Sequence, residues 1–211
     1  MKLKLKVITI ALAVAFAGAA FAQSGSTSKV NVQDINQSQS GLLNQQQMDL
    51  GNASAGGKSN VTAKGVNQSQ SGLLNAQKMS IGNASGKGSE SKVNVQNINQ
   101  SQSGLLNQQE MAIGNASAGG KSNVTAKNIN QSQSGLLNAQ KMEIGSASGK
   151  GSQSKVNATN INQSQSGLLN NQVMGIGNAA AGGKSDVTAK NINQSQSGLL
   201  NDQKMNIGNA K

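Results

Sequence analysis

The chain has 211 residues, 35% of them hydrophobic and 12% charged, with 26 Gly, 7 Met, two Phe and no Pro, Cys, His, Trp or Tyr. Both aromatic residues, Phe16 and Phe21, lie among the first 22, which excludes an aromatic-anchored core from the rest. Without Cys or His there is also no disulfide framework, no thiol chemistry and no imidazole for acid–base work or metal ligation. From residue 23 onward Leu, Ile and Val number 33 of 189, about 17%, a fraction at which chains often fail to bury enough apolar area to fold. This argues against a large globular enzyme.

The first 22 residues read as a secretory signal peptide. Lys2, Lys4 and Lys6 form a basic start, residues 7–20 an apolar run, and Ala20-Phe21-Ala22 a small-residue cleavage signal. The apolar run is too short to cross a bilayer of ~30 Å, so no stable membrane insertion is expected, and the product is expected outside the cell or on its surface. Cleavage after Ala22 leaves 15 Lys against 7 acidic residues, a formal charge of +8.

Six tandem repeats fill residues 23–211. The nonapeptide Asn-Gln-Ser-Gln-Ser-Gly-Leu-Leu-Asn begins at Asn36, Asn67, Asn99, Asn130, Asn162 and Asn193. The repeats run approximately 28–57, 58–90, 91–120, 121–153, 154–183 and 184–211. Self-similarity at this period predicts a solenoid, in which one unit cannot bury its apolar face alone and its neighbours cover it.

Within a unit, invariance alternates. The positions of Gln46, Met48 and Leu50 are always Gln, Met and Ile or Leu, whereas Gln45, Gln47 and Asp49 give way to Ala76, Lys78 and Ser80 and then to Gln108, Glu110 and Ala112. Period two predicts a β-strand with Leu42, Asn44, Gln46, Met48 and Leu50 facing inward. Upstream, residues 28–40 read as a second strand, whose apolar parity shifts between Val32 and Ile35 and so predicts a bulge near Asp34. Residues 35–43 hardly vary on either parity, which implies that both faces are in contact with something.

The expected fold is therefore all-β: a β-solenoid, or cross-β stack, of six strand-turn-strand repeats. Turns are expected at Gly41, Gly72, Gly104, Gly135, Gly167 and Gly198, with a looser glycine-rich loop over 51–57. Stacking in register would align Gln37, Gln68, Gln100, Gln131, Gln163 and Gln194 in one ladder. Asn44, Asn75, Asn107, Asn138, Asn170 and Asn201 would form a second, and Gln46, Gln77, Gln109, Gln140, Gln172 and Gln203 a third. Amide ladders at ~4.8 Å spacing offset a thin apolar core, and the absence of Pro keeps every ladder donor.

Charge placement agrees with stacking, since like charges at ~4.8 Å repel. Lys64, Lys127 and Lys190 occur in even repeats opposite Gln33, Gln96 and Thr159, and Lys78, Lys141 and Lys204 opposite Gln47, Glu110 and Val173. Duplication of a two-repeat unit would generate the same 63-residue super-period.

The residues Gln39-Ser40-Gly41-Leu42-Leu43-Asn44, with Ser40 and Gln46 spaced as Ser-x5-Gln, resemble the arc motif of the curlin family of bacterial functional amyloids, and Gly51-Asn52-Ala53 is similar to a reduced second arc. The resemblance covers about half of each unit. This repeat is longer, and Met-x-Leu-Gly or Met-x-Ile-Gly stands where curlins carry the second Gln-x-Gly. The resemblance implies a secreted subunit that polymerises with itself, served by a minor nucleator or a secretion channel.

No catalytic pattern emerges. Asp34, Asp49, Glu90, Glu110, Glu143, Asp186 and Asp202 are scattered, and Ser38 and Ser40 have no evident base beside them. One inward Met per unit (Met48, Met79, Met111, Met142, Met174 and Met205) reads as core filling rather than soft-metal ligation, so no cofactor or metal is expected. Basicity carried by Lys alone suits weak adsorption to acidic polysaccharide or extracellular DNA and lacks the Arg and aromatic groups of specific nucleic-acid readout. The expectation is a self-assembling extracellular fibre subunit for biofilm matrix, adhesion or surface coating. The competing readings are a monomeric ice- or carbohydrate-binding solenoid and a disordered matrix polymer.

Overall fold

A computed structural model describes residues 26–180 and 182–208. The segment read as a signal peptide lies outside the described residues. Each repeat contributes one long and one short strand: β1 Thr27–Leu42 and β2 Gln45–Leu50, β3 Lys58–Leu73 and β4 Ala76–Ile81, β5 Glu90–Leu105 and β6 Gln108–Ile113, β7 Lys121–Leu136 and β8 Ala139–Ile144, β9 Gln153–Leu168 and β10 Asn171–Ile176, β11 Lys184–Ser197 and β12 Asp202–Ile207. The long strands form one parallel six-stranded sheet in the order β1-β3-β5-β7-β9-β11, and the short strands a second in the matching order. The protein is therefore an all-β solenoid of six rungs, one repeat to a rung. Rungs open at Thr27, Glu90 and Gln153, one residue ahead of the limits 28, 91 and 154 read from the sequence.

The two strands of a rung face each other across the core and bond to the rungs above and below. Register is strict: Val61 pairs with Val93, Gln68 with Gln100 and Met79 with Met111. Inward positions therefore run as columns along the stack. One half of the interior is apolar, built from the columns through Val61, Ala63 and Val66 on the long-strand sheet and Met79 and Ile81 on the short one. The other half, toward the first arc, is amide: Gln68, Gln70, Asn75 and Gln77 are buried and recur in each internal rung. A sequence with about 17% Leu, Ile and Val can fold this way because only half of its core must be apolar, and parallel pairing supplies the backbone bonds of every internal rung.

The expected bulge is present. Asp34, Asn97, Asn128, Asn160 and Asn191 have φ of 54–57°, Gly65 has φ 66°, and the ladder skips all six. Asn, Asp and Gly are the residues that tolerate this left-handed region, which is why the column admits only them. At the first arc the structure departs from expectation. Gly104, the next-to-last residue of the long strand, has φ 130°, and a Cβ there would collide with the Gly72 carbonyl of the rung before. The left-handed turn residue is instead the second leucine of each pair, Leu43 and its equivalents, with φ of 58–61°. Leu42, expected inward, lies outside the core with its equivalents, which are 38–43% exposed in the internal rungs, because the chain turns before the short-strand parity begins.

Lysines never meet lysines in the described rungs. Besides the two columns expected, the column through Lys58 runs Thr27, Lys58, Glu90, Lys121, Gln153, Lys184, and that through Lys29 runs Lys29, Asn60, Lys92, Asn123, Lys155, Asp186. Ion pairs cross rungs at Lys58–Glu90 (3.9 Å) and Lys155–Asp186 (3.9 Å). All four partners are largely solvated, so each pair contributes a few tenths of a kcal/mol and the avoided repulsion matters more. Gln96→Lys, which inserts a third ammonium group between Lys64 and Lys127, is expected to destabilise the fold by about 0.5–1 kcal/mol at low salt. Denaturant melts should recover most of that in 1 M salt, where the screening length falls to ~3 Å.

Candidate assembly site

Gln68, Gln100, Gln131 and Gln163 project inward from the long strands and are buried. Each amide spans two directions. Gln100 Nε2 donates to Gln68 Oε1 at 3.1 Å, and the links Gln131 to Gln100, Gln163 to Gln131 and Gln194 to Gln163 follow at 3.1–3.2 Å. The same nitrogens also donate across the core to short-strand carbonyls of their own rung, from Gln68 to Lys78 (3.4 Å) through Gln131 to Lys141 (3.2 Å) and Gln194 to Lys204 (3.3 Å). The column thus joins rung to rung and sheet to sheet. Gln37, at the first rung, lies in register with Gln68 but is not linked to it by an amide bond.

The third expected ladder forms between Gln77 and Gln46, Gln109 and Gln77, Gln140 and Gln109, and Gln172 and Gln140, at 2.8–3.4 Å. Gln203 departs from it and donates to the Gln194 carbonyl. The Asn44 column is corrected. Asn44, Asn75, Asn107, Asn138 and Asn170 donate to the carbonyls of Ser71, Ser103, Ser134, Ser166 and Ser197 in the following rung, at 2.6–3.2 Å. Within the column only Asn170 also reaches its neighbour, Asn201 (3.1 Å). The asparagine sits directly after the left-handed leucine, so its short side chain points at the arc backbone and acts there as a brace.

Three features were not read from the sequence. Asparagine ladders run along the outside, through Asn36 and Asn67 (2.9 Å), Asn99, Asn130, Asn162 and Asn193 (3.0–3.1 Å), and along the bulge from Asn97 to Asn191 (2.8–2.9 Å). The inward Ser59, Ser91, Ser122, Ser154 and Ser185 hydroxyls donate to the carbonyls of Gly51, Gly82, Gly114, Gly145 and Gly177, tying the second arc to the next strand. The Asn36 and Ser59 columns are invariant and the bulge column is not, but even in the invariant ones residue type alone does not tell which acceptor each side chain meets. The third feature is the column Gln70, Gln102, Gln133, Gln165 and Gln196, whose amides have no hydrogen-bond partner even though the first four side chains are buried.

Among the described residues the stack ends openly. β1 and β2 at one end, and β11 and β12 at the other, pair on one side only. Core positions that are fully buried inside, such as Met142 and Ile144, become 39% and 42% exposed as Met205 and Ile207. Among the described residues neither end carries a cap. No protein-family model, curated protein or solved structure matches the chain.

The Gln100 and Gln102 columns should respond oppositely to substitution. Gln100→Met breaks bonds on both sides and strands its neighbours' amides, at an expected cost of about 1–3 kcal/mol. Gln102→Met removes an unpaired amide and is expected to be neutral or stabilising in the same thermal melts.

Proposed function

We propose that the chain is an exported structural subunit that stacks end to end into an amyloid-like extracellular fibre, serving as biofilm matrix, adhesive or surface coat. The observation that carries this reading is the pair of open ends: two six-stranded parallel sheets, each finishing at both ends, among the described residues, in a strand with an unpaired edge. Unprotected edges template the addition of another strand. Growth would add the first rung of one copy to the last rung of another by parallel pairing.

The columns support that junction. Six is an even number, so a head-to-tail contact keeps the two-rung alternation. Lys184 would meet Thr27, Lys190 would meet Gln33 and Lys204 would meet Gln47, while Asp186, already beside Lys155, would lie against Lys29 of the next copy. The Gln, Asn and Met columns would run through the contact unchanged. The resemblance of the first arc to curlin repeats points the same way. On this reading the partner is the chain itself, with a nucleator or secretion channel as accessory and no enzymatic activity.

Purified residues 23–211, incubated at micromolar concentration, are expected to give unbranched filaments with a meridional reflection near ~4.7 Å. A persistently soluble, β-rich monomer would overturn the fibre reading in favour of a binding module. The junction has its own test. Asn206→Asp, whose neighbour within the chain is Gly175, sets a carboxylate against Asp49 of the next copy, and elongation is expected to slow several-fold at low salt and to recover in 1 M salt.

A further inference from the structure

Leu42 and Leu43, with their five equivalent pairs, form two adjacent columns along the first arc. The first leucines lie in register from rung to rung. The second donate their N–H groups to the first leucines of the following rung, as from Leu74 to Leu105 and Leu106 to Leu136, both at 3.1 Å. In the internal rungs these side chains remain 38–43% exposed, whereas the Ile and Met columns are fully buried. The second leucine of every rung is also left-handed, with φ of 58–61°. For an L-residue other than Gly, Asn or Asp that conformation costs about 1–2 kcal/mol. The bulge column, under the same demand, uses Asn, Asp or Gly; the arc uses Leu six times over. Backbone preference does not account for that choice, and the chain's own packing leaves about two fifths of each internal leucine in solvent.

We propose that this ridge is a lateral interface that seats against the same ridge of a second copy, so that solenoids associate side by side as well as end to end. This goes beyond the end contact and does not depend on it, since one six-rung chain carries the whole ridge. Three observations select a second copy. The ridge repeats at the strand spacing of ~4.8 Å, so only a partner with the same repeat can interlock with it along its length, as in a dry zipper. The flanking columns, through Ser71 on the long strands and Ala76 on the short, are uncharged in all six rungs apart from Asp202, so two ridges can approach without burying lysines. The exposed leucines form one continuous apolar strip along all six rungs, the kind of patch that ordinary monomers rarely leave uncovered.

The test replaces all six second leucines with the residue the backbone prefers: Leu43→Asn, Leu74→Asn, Leu106→Asn, Leu137→Asn, Leu169→Asn and Leu200→Asn. The variant is expected to keep its β circular dichroism, to melt no lower than the parent chain and to associate laterally at least about tenfold more weakly. Lateral association is read as dimers by sedimentation and as paired filaments by electron microscopy. Leu106→Asn with Leu137→Asn, a milder change, should weaken pairing in the same direction. Unchanged pairing in a folded variant would overturn the proposal. So would loss of β structure in both variants, which would make the leucines part of the chain's own core. A parent chain that stays unpaired but adsorbs to phosphatidylcholine vesicles through these leucines would overturn it in favour of a lipid surface. Failure of the fibre reading would look different, as paired dimers without filaments.

Discussion

The bonds of the Gln68 column run both along the stack and across it. Backbone pairing fixes the spacing within each sheet, but nothing in a parallel ladder dictates how far apart two sheets lie or how they align. In this protein the glutamine amides supply that constraint, donating at once to the previous rung and to the opposite sheet. The apolar half of the core then needs only small and medium side chains, Val, Ala, Ile and Met, because the sheet separation is already set on the amide side. Every bond is modest, and each is repeated in register, so stability accrues rung by rung as in other linear repeats.

The strand pattern, the six-fold stack, the bulge near Asp34 and the separation of lysines could be read in the sequence because each depends on periodicity, and the chain contains six copies of the experiment. The arc could not. Gly41 marked its place, but the left-handed residue proved to be Leu43, which no turn preference would choose. Likewise Asn44 and Gln46 occupy equally invariant columns, yet one braces a backbone carbonyl and the other forms a ladder. A difference of one methylene and the geometry of the preceding turn decide between them, and neither is visible as a pattern. The Gln39 column looks identical to the Gln37 column in sequence, yet the amides from Gln70 to Gln196 make no hydrogen bond.

Interior and exterior of the solenoid follow separate rules. Inside, identical residues meet because amides and aliphatic groups gain from their own kind. Outside, the Lys columns alternate with neutral or acidic residues because ammonium groups do not. The leucine ridge belongs spatially to the exterior but obeys the interior rule, and its flanks are almost free of charge.

The second arcs come in two lengths, giving spacings of 31 and 32 residues between successive rungs. During folding, a strand that docks one place out of order would bring together two loops of the same length, where the native stack alternates them, and would set lysine onto lysine. A strand displaced by two places would find nearly its native neighbours and forfeit only the rungs left hanging at the ends. Misfolding of such a chain is therefore quantised: the errors that survive come in pairs of rungs, and a trapped molecule has four or two ordered rungs rather than five.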